Sequence, residues 1–219
     1  MTPAPGAQAS PRPLRRDAEL NRERIVAAAH DVFAESGFEA SMERVAHRAG
    51  VGVGTLYRRF PNKEGLAIAI MEMVSGRTRQ LVDEVLRTAS PAEGIFEFLR
   101  QCVAMPSSLR ALVARSPRLA EAHLAMVETL EAPVTTLIED AQAAGFLRGD
   151  VTFGDIALIL LSVRGVEDRW DAGEADAKLG RQQGERHLQL LIDGLRVTDS
   201  ALPHRPLSRA QLDELLVME

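Results

Sequence analysis

Residues 21–66 read NRERIVAAAHDVFAESGFEASMERVAHRAGVGVGTLYRRFPNKEGL, and the spacing of their apolar residues decides the fold. Ile25, Ala28, Ala29, Val32 and Phe33 recur at i, i+3, i+4, i+7 and i+8, one buried stripe on a helix predicted from about Asp17 to Ser36. Gly37 follows as a left-handed cap, a backbone conformation that costs glycine no Cβ clash. Ser41 is an N-cap for a second, short helix, and Glu43 in its first turn favours the helix dipole. This helix buries Val45 and Ala46 and ends near Ala49 and Gly50. A tight turn leads to a third helix centred on Val53 to Phe60, which Pro61 stops. Asn62 then caps a long fourth helix, predicted over Lys63 to Thr88, with Glu64 in its first turn. Two short helices joined through Gly50 and braced by a longer helix on each side make a helix-turn-helix. Its second helix is narrow enough for a major groove about 12 Å wide.

Outward from this unit every segment reads as helix. Ser90-Pro91 is expected to open a helix through Met105, and a short one is expected within Ser108 to Arg115. Ser116-Pro117 opens a long stretch to Ala144, its Val127, Leu130, Val134, Leu137, Ile138 and Ala141 on one face, with Pro133 expected to kink or break it. Gly145 ends it. Thr152 caps a helix from Phe153 to about Trp170. The segment GEADAKLGRQQG (173–184) reads as a polar, Gly-punctuated lead into a last major helix carrying Leu188, Leu191, Ile192 and Leu195. Beyond Arg196 a Pro-punctuated linker precedes Ser208 and Gln211, a capping box, and then Leu212, Leu215 and Leu216. The fold class is all-α: an N-terminal three-helix helix-turn-helix domain, joined by a long helix to a C-terminal antiparallel helical domain. The expected boundaries are 1–16 (a Pro- and Ala-rich disordered arm), 17–62, 63–197 and 198–219.

Composition bounds the function. The 219 residues are 46% hydrophobic and 26% charged but only 4% aromatic, which favours packed helices. No apolar run approaches the roughly 20 residues of a membrane span, and Arg12, Arg15 and Arg16 precede no apolar signal-peptide core. A lone Cys102 excludes an internal disulfide or a Cys-based metal cluster, so a cytoplasmic protein is expected. The net charge of −5 hides an asymmetry: residues 1–60 hold nine Lys/Arg against seven Asp/Glu, and the remainder holds 17 against 24. Phosphate binding needs a basic face rather than a basic protein.

Within 21–66, the AAA-x-x-x-F-x-x-x-G-F run, Ala46, Ala49-Gly50-Val51, Gly54-Thr55-Leu56-Tyr57, Phe60 and Lys63-Glu64 closely resemble the TetR family of bacterial repressors. The resemblance covers about a fifth of the chain. It implies a dimer with N-terminal DNA-binding heads and a variable C-terminal effector domain. Carried onto this sequence, it makes Tyr57 and Lys63 phosphate contacts and puts Thr55 at phosphate or a base edge. Arg59 stands where the family often has His, and Arg58 lies beside it; both reach phosphate, or a guanine edge in a bidentate pose. Gly52 replaces the usual Ser at the start of the recognition helix, next to Val53. Ser41 and Arg44 are further backbone candidates. The plainer readings are a core aromatic for Tyr57 and a solvated face for Arg58 and Arg59.

Farther on, LSVRGVEDRW (161–170) and RHLQLLIDGLR (186–196) resemble the closing helices of the SbtR-like subgroup, which implies a four-helix dimer interface. Val163, Trp170, His187, Leu188, Leu191, Ile192 and Leu195 are its candidate residues. Phe96, Leu99, Cys102, Val103, His123, Met126, Leu130, Leu158 and Leu161 are candidates for an effector cavity, with plain core packing as the alternative. Arg164, directly after an apolar run, is either an i,i+4 partner of Asp168 or a counter-charge for an acidic effector. No nucleophile elbow, phosphate loop or carboxylate cluster is present, and the five histidines lack metal-ligand spacing. The expectation is therefore no enzyme, no metal and no cofactor. What is expected instead is a homodimeric regulator that leaves a palindromic operator when a small molecule binds. A constitutive architectural DNA binder would need no cavity, and a helical scaffold would not need the Thr55-to-Lys63 set.

Overall fold

A computed structural model describes the backbone of residues 12–104, 116–167 and 174–217, and the side chains of 18–104, 116–166 and 178–217. Among the described residues the regular structure is nine helices and one isolated antiparallel bridge, Leu147 to Arg196. The chain divides into two compact units, one ending at Ile70 and the other beginning at Met71.

The first unit holds α1 (Arg12–Ser36), α2 (Met42–Ala49), α3 (Val53–Arg59) and the start of α4 (Lys63–Thr88). Helix α1 begins five residues before the expected Asp17, so residues 12–16 are helical rather than part of an arm. Pro13 stands in the first turn, where its missing N–H is no loss; residues 1–11 lie outside the described residues. The predicted stripe is buried, from Ile25 (1% exposed) to Phe33 (1%), in one core with Val45, Leu56, Phe60, Leu66 and Ile70. Gly37 caps α1 at φ 70° and lets Phe38 turn back edge-on to Phe33, the ring centroids 5.4 Å apart. Gly50 caps α2 at φ 65°. There Arg24 donates to the Ala49 carbonyl at 2.9 Å, and a Cβ on Gly50 would stand 3.1 Å from that guanidinium. The left-handed conformation favours glycine, and a Cβ there would crowd the Arg24 bond.

The second unit continues α4 and adds α5 (Gly94–Ala104), α6 (Pro117–Ala143), α7 (Phe153–Glu167), α8 (Glu174–Leu195) and α9 (Arg209–Val217). Helix α5 starts later than expected. The Ser90 carbonyl accepts from both Glu93 and Gly94 at 3.0 Å, so Pro91 to Glu93 form a turn. The helix expected within 108–115 lies outside the described residues. Helix α6 has its N-cap at Ser116, whose hydroxyl accepts from Leu119 N–H at 3.3 Å, and runs through Pro133 unbroken. Helix α8 begins at Glu174, well before the polar lead was expected to end. Gly180 and Gly184 are buried on the same face as Leu188 and Ile192, so they serve close packing rather than punctuation.

The main core of this unit joins Val85, Ile95, Phe96, Phe98, Leu99, Leu137, Ile138, Ile156, Val163, Leu188 and Ile192. A second cluster lies under α9: Leu212 and Leu216 pack on Val127, with Leu124, Met126, Phe153, Ala157 and Leu161 around them. Leu215, expected on the same face, is 37% exposed. The expected capping box forms, with Ser208 N–H donating to Gln211 Oε1 at 3.0 Å and Gln211 N–H to Ser208 Oγ at 3.4 Å. Arg209 pairs with Glu131 on α6 and with Asp213 on its own helix. The tail is tied upstream as well: Arg148 donates to the Ser200 carbonyl at 2.7 Å, and Leu202 N–H donates to Asp150 at 3.0 Å.

Candidate nucleic-acid interface

Helix α3 is the element that can enter a groove. Its inward anchor is Leu56, fully buried, and Phe60 behind it is 6% exposed. Four of its other side chains face solvent: Val53 is 38% and Tyr57 43% exposed, and Arg58 and Arg59 are exposed. Tyr57 therefore is not a core aromatic. Gly52 is the N-cap in extended conformation without a side-chain hydrogen bond, so the helix starts with a bare backbone that a phosphate can approach. Thr55 is half-buried.

The cations around α3 are held differently. Arg58 Nη2 donates to Thr55 Oγ1 at 3.1 Å, within the helix. Arg59 turns back to α1, donating to the Ala18 carbonyl at 3.5 Å and standing 3.5 Å from the Glu19 carboxylate. Lys63, at the start of α4, donates to the Phe38 carbonyl at 3.0 Å with its ammonium 5.4 Å from the Phe38 ring centroid. Two of its three protons stay available to an anion. The Asn62 side chain caps the same helix, accepting from Gly65 N–H at 2.8 Å.

On α2, Ser41 accepts from Arg44 N–H at 3.2 Å, so its hydroxyl serves the helix cap first. Sequence reasoning missed the role of Glu35 at the end of α1. Its carboxylate takes Arg48 at 2.6 Å and Arg44 at 3.4 Å, and the Arg48 hydrogen bond holds its pKa below the ordinary range. Arg48 belongs to the cationic set as much as Arg44. The contact spans thirteen residues and leaves no local signal in the sequence.

The candidate effector residues do not gather in one place. Phe96, Leu99, Cys102 and Val103 are buried in the main core, while Met126 and Leu161 pack in the cluster under α9. Leu130 is 9% exposed, and Leu158 is half-buried. His123 is half-buried, its Nδ1 sealed from solvent without a hydrogen-bond partner among the described residues, and burial pushes its pKa down. Arg164 donates to the Cys102 carbonyl at 2.6 Å, in the last turn of α5. Asp168, its expected partner, and Trp170 lie outside the described residues.

Four of the expected interface residues are corrected. Val163, Leu188, Ile192 and Leu195 are between 0 and 7% exposed and belong to the protomer's own core, so they have no surface to offer a second subunit. His187 and Leu191 are half-buried, and Leu190, one residue over, is 61% exposed. No described helix is long and apolar enough to cross a membrane.

Comparison with known proteins agrees with this geometry. Residues 25–70 fit the family model of bacterial regulatory proteins of the TetR family, and residues 90–197 fit that of the SbtR-like transcriptional regulator C-terminal domain. An HTH-type transcriptional regulator of Staphylococcus aureus strain USA300 is 45% identical over 60 residues, which is 27% of this chain. The matched stretch spans only about a third (32%) of that relative's length. Among solved structures, the TetR transcription regulatory protein from Mycobacterium vanbaalenii is 32% identical, with TM-score 0.64 over 84% of this chain and 99% of that one. A TetR transcriptional regulator from Streptomyces coelicolor is 33% identical, with TM-score 0.59 over 81% and 99%.

Proposed function

This chain belongs to the TetR family of bacterial regulatory proteins, a family of transcriptional regulators and not of enzymes, and from that membership we propose that it is a repressor. It binds a palindromic operator as a homodimer and leaves it when a small molecule enters the second unit. The observation that carries the reading is the outward face of α3, with Val53, Tyr57 and Arg58 exposed on a helix anchored by the buried Leu56. A helix presented in this way can lie in a major groove, and two copies related by a two-fold axis read inverted half-sites.

Dimerisation is assigned to the outer sides of α7 and α8, where Leu158, Ser162, His187, Leu190 and Leu191 lie. Ser162 and His187 meet at 3.4 Å and tie the two helices together. The effector is a small, largely apolar molecule. An acidic group on it would compete with the Cys102 carbonyl for Arg164, since a guanidinium prefers a carboxylate to a neutral acceptor. A DNA-binding regulator of this kind works in the cytoplasm, on the nucleoid.

The test is sequencing of the genomic DNA bound by the protein, followed by disruption of its gene. Transcripts from the bound promoters rise if it represses. A fall would make it an activator, and the absence of enriched sites would remove the operator reading.

A further inference from the structure

The geometry points to Arg58 as the residue that reads sequence, through a guanine placed once in each operator half-site, with Thr55 as the residue that aims it. This rests on the operator reading above and goes on to name the base and its reader.

Side chains on a helix lean toward its N-terminus, so Arg58 sweeps back over the positions three and four residues earlier. One of these is Gly54, where an added Cβ would meet nothing within 4 Å, so the path is open. The other is Thr55, whose hydroxyl receives Nη2 at 3.1 Å. The guanidinium is thereby carried to the N-terminal end of α3, the end with which helix-turn-helix proteins meet base edges. One donor is spent on Thr55, and the remaining fork matches guanine O6 and N7. No carboxylate lies within ion-pair distance of Arg58 among the described residues, so moving it to DNA breaks no ion pair.

Its neighbours are placed otherwise. Arg59, one residue on and about 100° around the helix, points to Ala18 and Glu19 on α1. Arg44 and Arg48 share Glu35, and Lys63 rests on the Phe38 carbonyl. Each sits at the margin of the head, where the sequence-independent backbone of DNA is met.

The experiment is selection from a randomised double-stranded DNA library with the full-length protein and with Arg58→Ala, Arg59→Ala, Thr55→Val and Thr55→Ser. Circular dichroism verifies that each variant keeps the parent's melting temperature. The parent should enrich an inverted repeat with guanine at one fixed position per half-site. Arg58→Ala should lose that preference, by about tenfold or more in relative affinity for guanine over the other bases, with the remaining positions unchanged. Thr55→Val should blur the same position alone, and Thr55→Ser, which keeps the hydroxyl, should restore it. Arg59→Ala should return the parent's consensus at uniformly lower affinity. An unchanged consensus from Arg58→Ala, or a guanine lost through Arg59→Ala, overturns the assignment while leaving the operator reading intact. A parent protein that enriches nothing removes both.

Discussion

The Arg164 guanidinium donates to the Cys102 carbonyl at 2.6 Å and so closes the last turn of α5 from across the second unit. The four last carbonyls of a helix have no partner within it, and a charged donor is a strong one to supply. Arg164→Ala should lower stability by about 1–3 kcal/mol in urea unfolding, with part of the loss recovered by Arg164→Lys. If Arg164→Ala unfolds like the parent yet loses effector response, the guanidinium serves the ligand and not the helix. The Cys102 thiol nearby is pushed up to about 12 by burial, although the Arg164 charge opposes the shift. It should resist iodoacetamide at neutral pH until the chain unfolds.

The Lys63 ammonium is held by the Phe38 carbonyl, and the proposed operator reading gives it a phosphate as well. Lys63→Ala should weaken binding to every duplex by a similar factor and lower the slope of log affinity against log salt by about 0.9. A changed sequence preference in this variant would show that Lys63 reads bases.

Two leucines on α8, two residues apart, should answer differently to the same substitution. Leu190 is 61% exposed and Leu188 4%. Leu190→Arg should give a folded monomer in sedimentation, with helical circular dichroism retained. Leu188→Arg would bury an unpaired charge in the protomer core and should fail to fold. A Leu190→Arg protein that sediments as a dimer would move the interface elsewhere.

For His123 the sign is fixed by its environment. Burial lowers its pKa from the usual 6.5, so the unfolded chain takes up the proton first. Stability from this source is intact above pH 6.5 and declines as pH falls through 6.5 toward the folded value. His123→Leu removes both the titration and the orphaned nitrogen. Its urea midpoint should rise by the equivalent of about 1 kcal/mol and depend less on pH between roughly 7.5 and 5.5.

Asp150 titrates in the opposite sense. Hydrogen bonds from the Arg148 side chain and from Leu202 N–H hold its carboxyl at about 2, against an ordinary 3.8. The tie to the tail is fully present above 3.8 and is lost as pH drops through about 2. Asp150→Asn should speed amide exchange at Leu202 at neutral pH while α7 exchanges as before. Equal protection of Leu202 in parent and variant would leave the tail held by α9 and by the Arg148 bond to the Ser200 carbonyl.

The helix-turn-helix was legible because its signals are local. Gly37, Ser41, Gly50 and Asn62 each act within a turn of their own position, and the Ile25-to-Phe33 stripe has a single period. The start of α8 was misread for the same reason. Gly180 and Gly184 are local signs of a break, overruled by a distant one, the packing of a small-residue face. The interface residues were misplaced because Leu188 and Ile192, i and i+4 on an apolar face, look alike whether the face meets the protomer's core or a second subunit. Periodicity gives the face but not what covers it. Glu35 with Arg44 and Arg48, and Arg164 with Cys102, join residues far apart in sequence and carry no pattern at all.

Glu35 sets a limit on how strongly the head holds arbitrary DNA. Each guanidinium recruited from Arg44 or Arg48 to a phosphate must first leave a carboxylate, so the exchange trades one ion pair for another and gains little on a random duplex. Counting arginines therefore overstates the grip, and the head should come off non-matching sequence quickly. The same acid that engages two guanidinium groups at rest should shorten each unproductive stop along the chromosome, leaving dwell time to be decided by the bases.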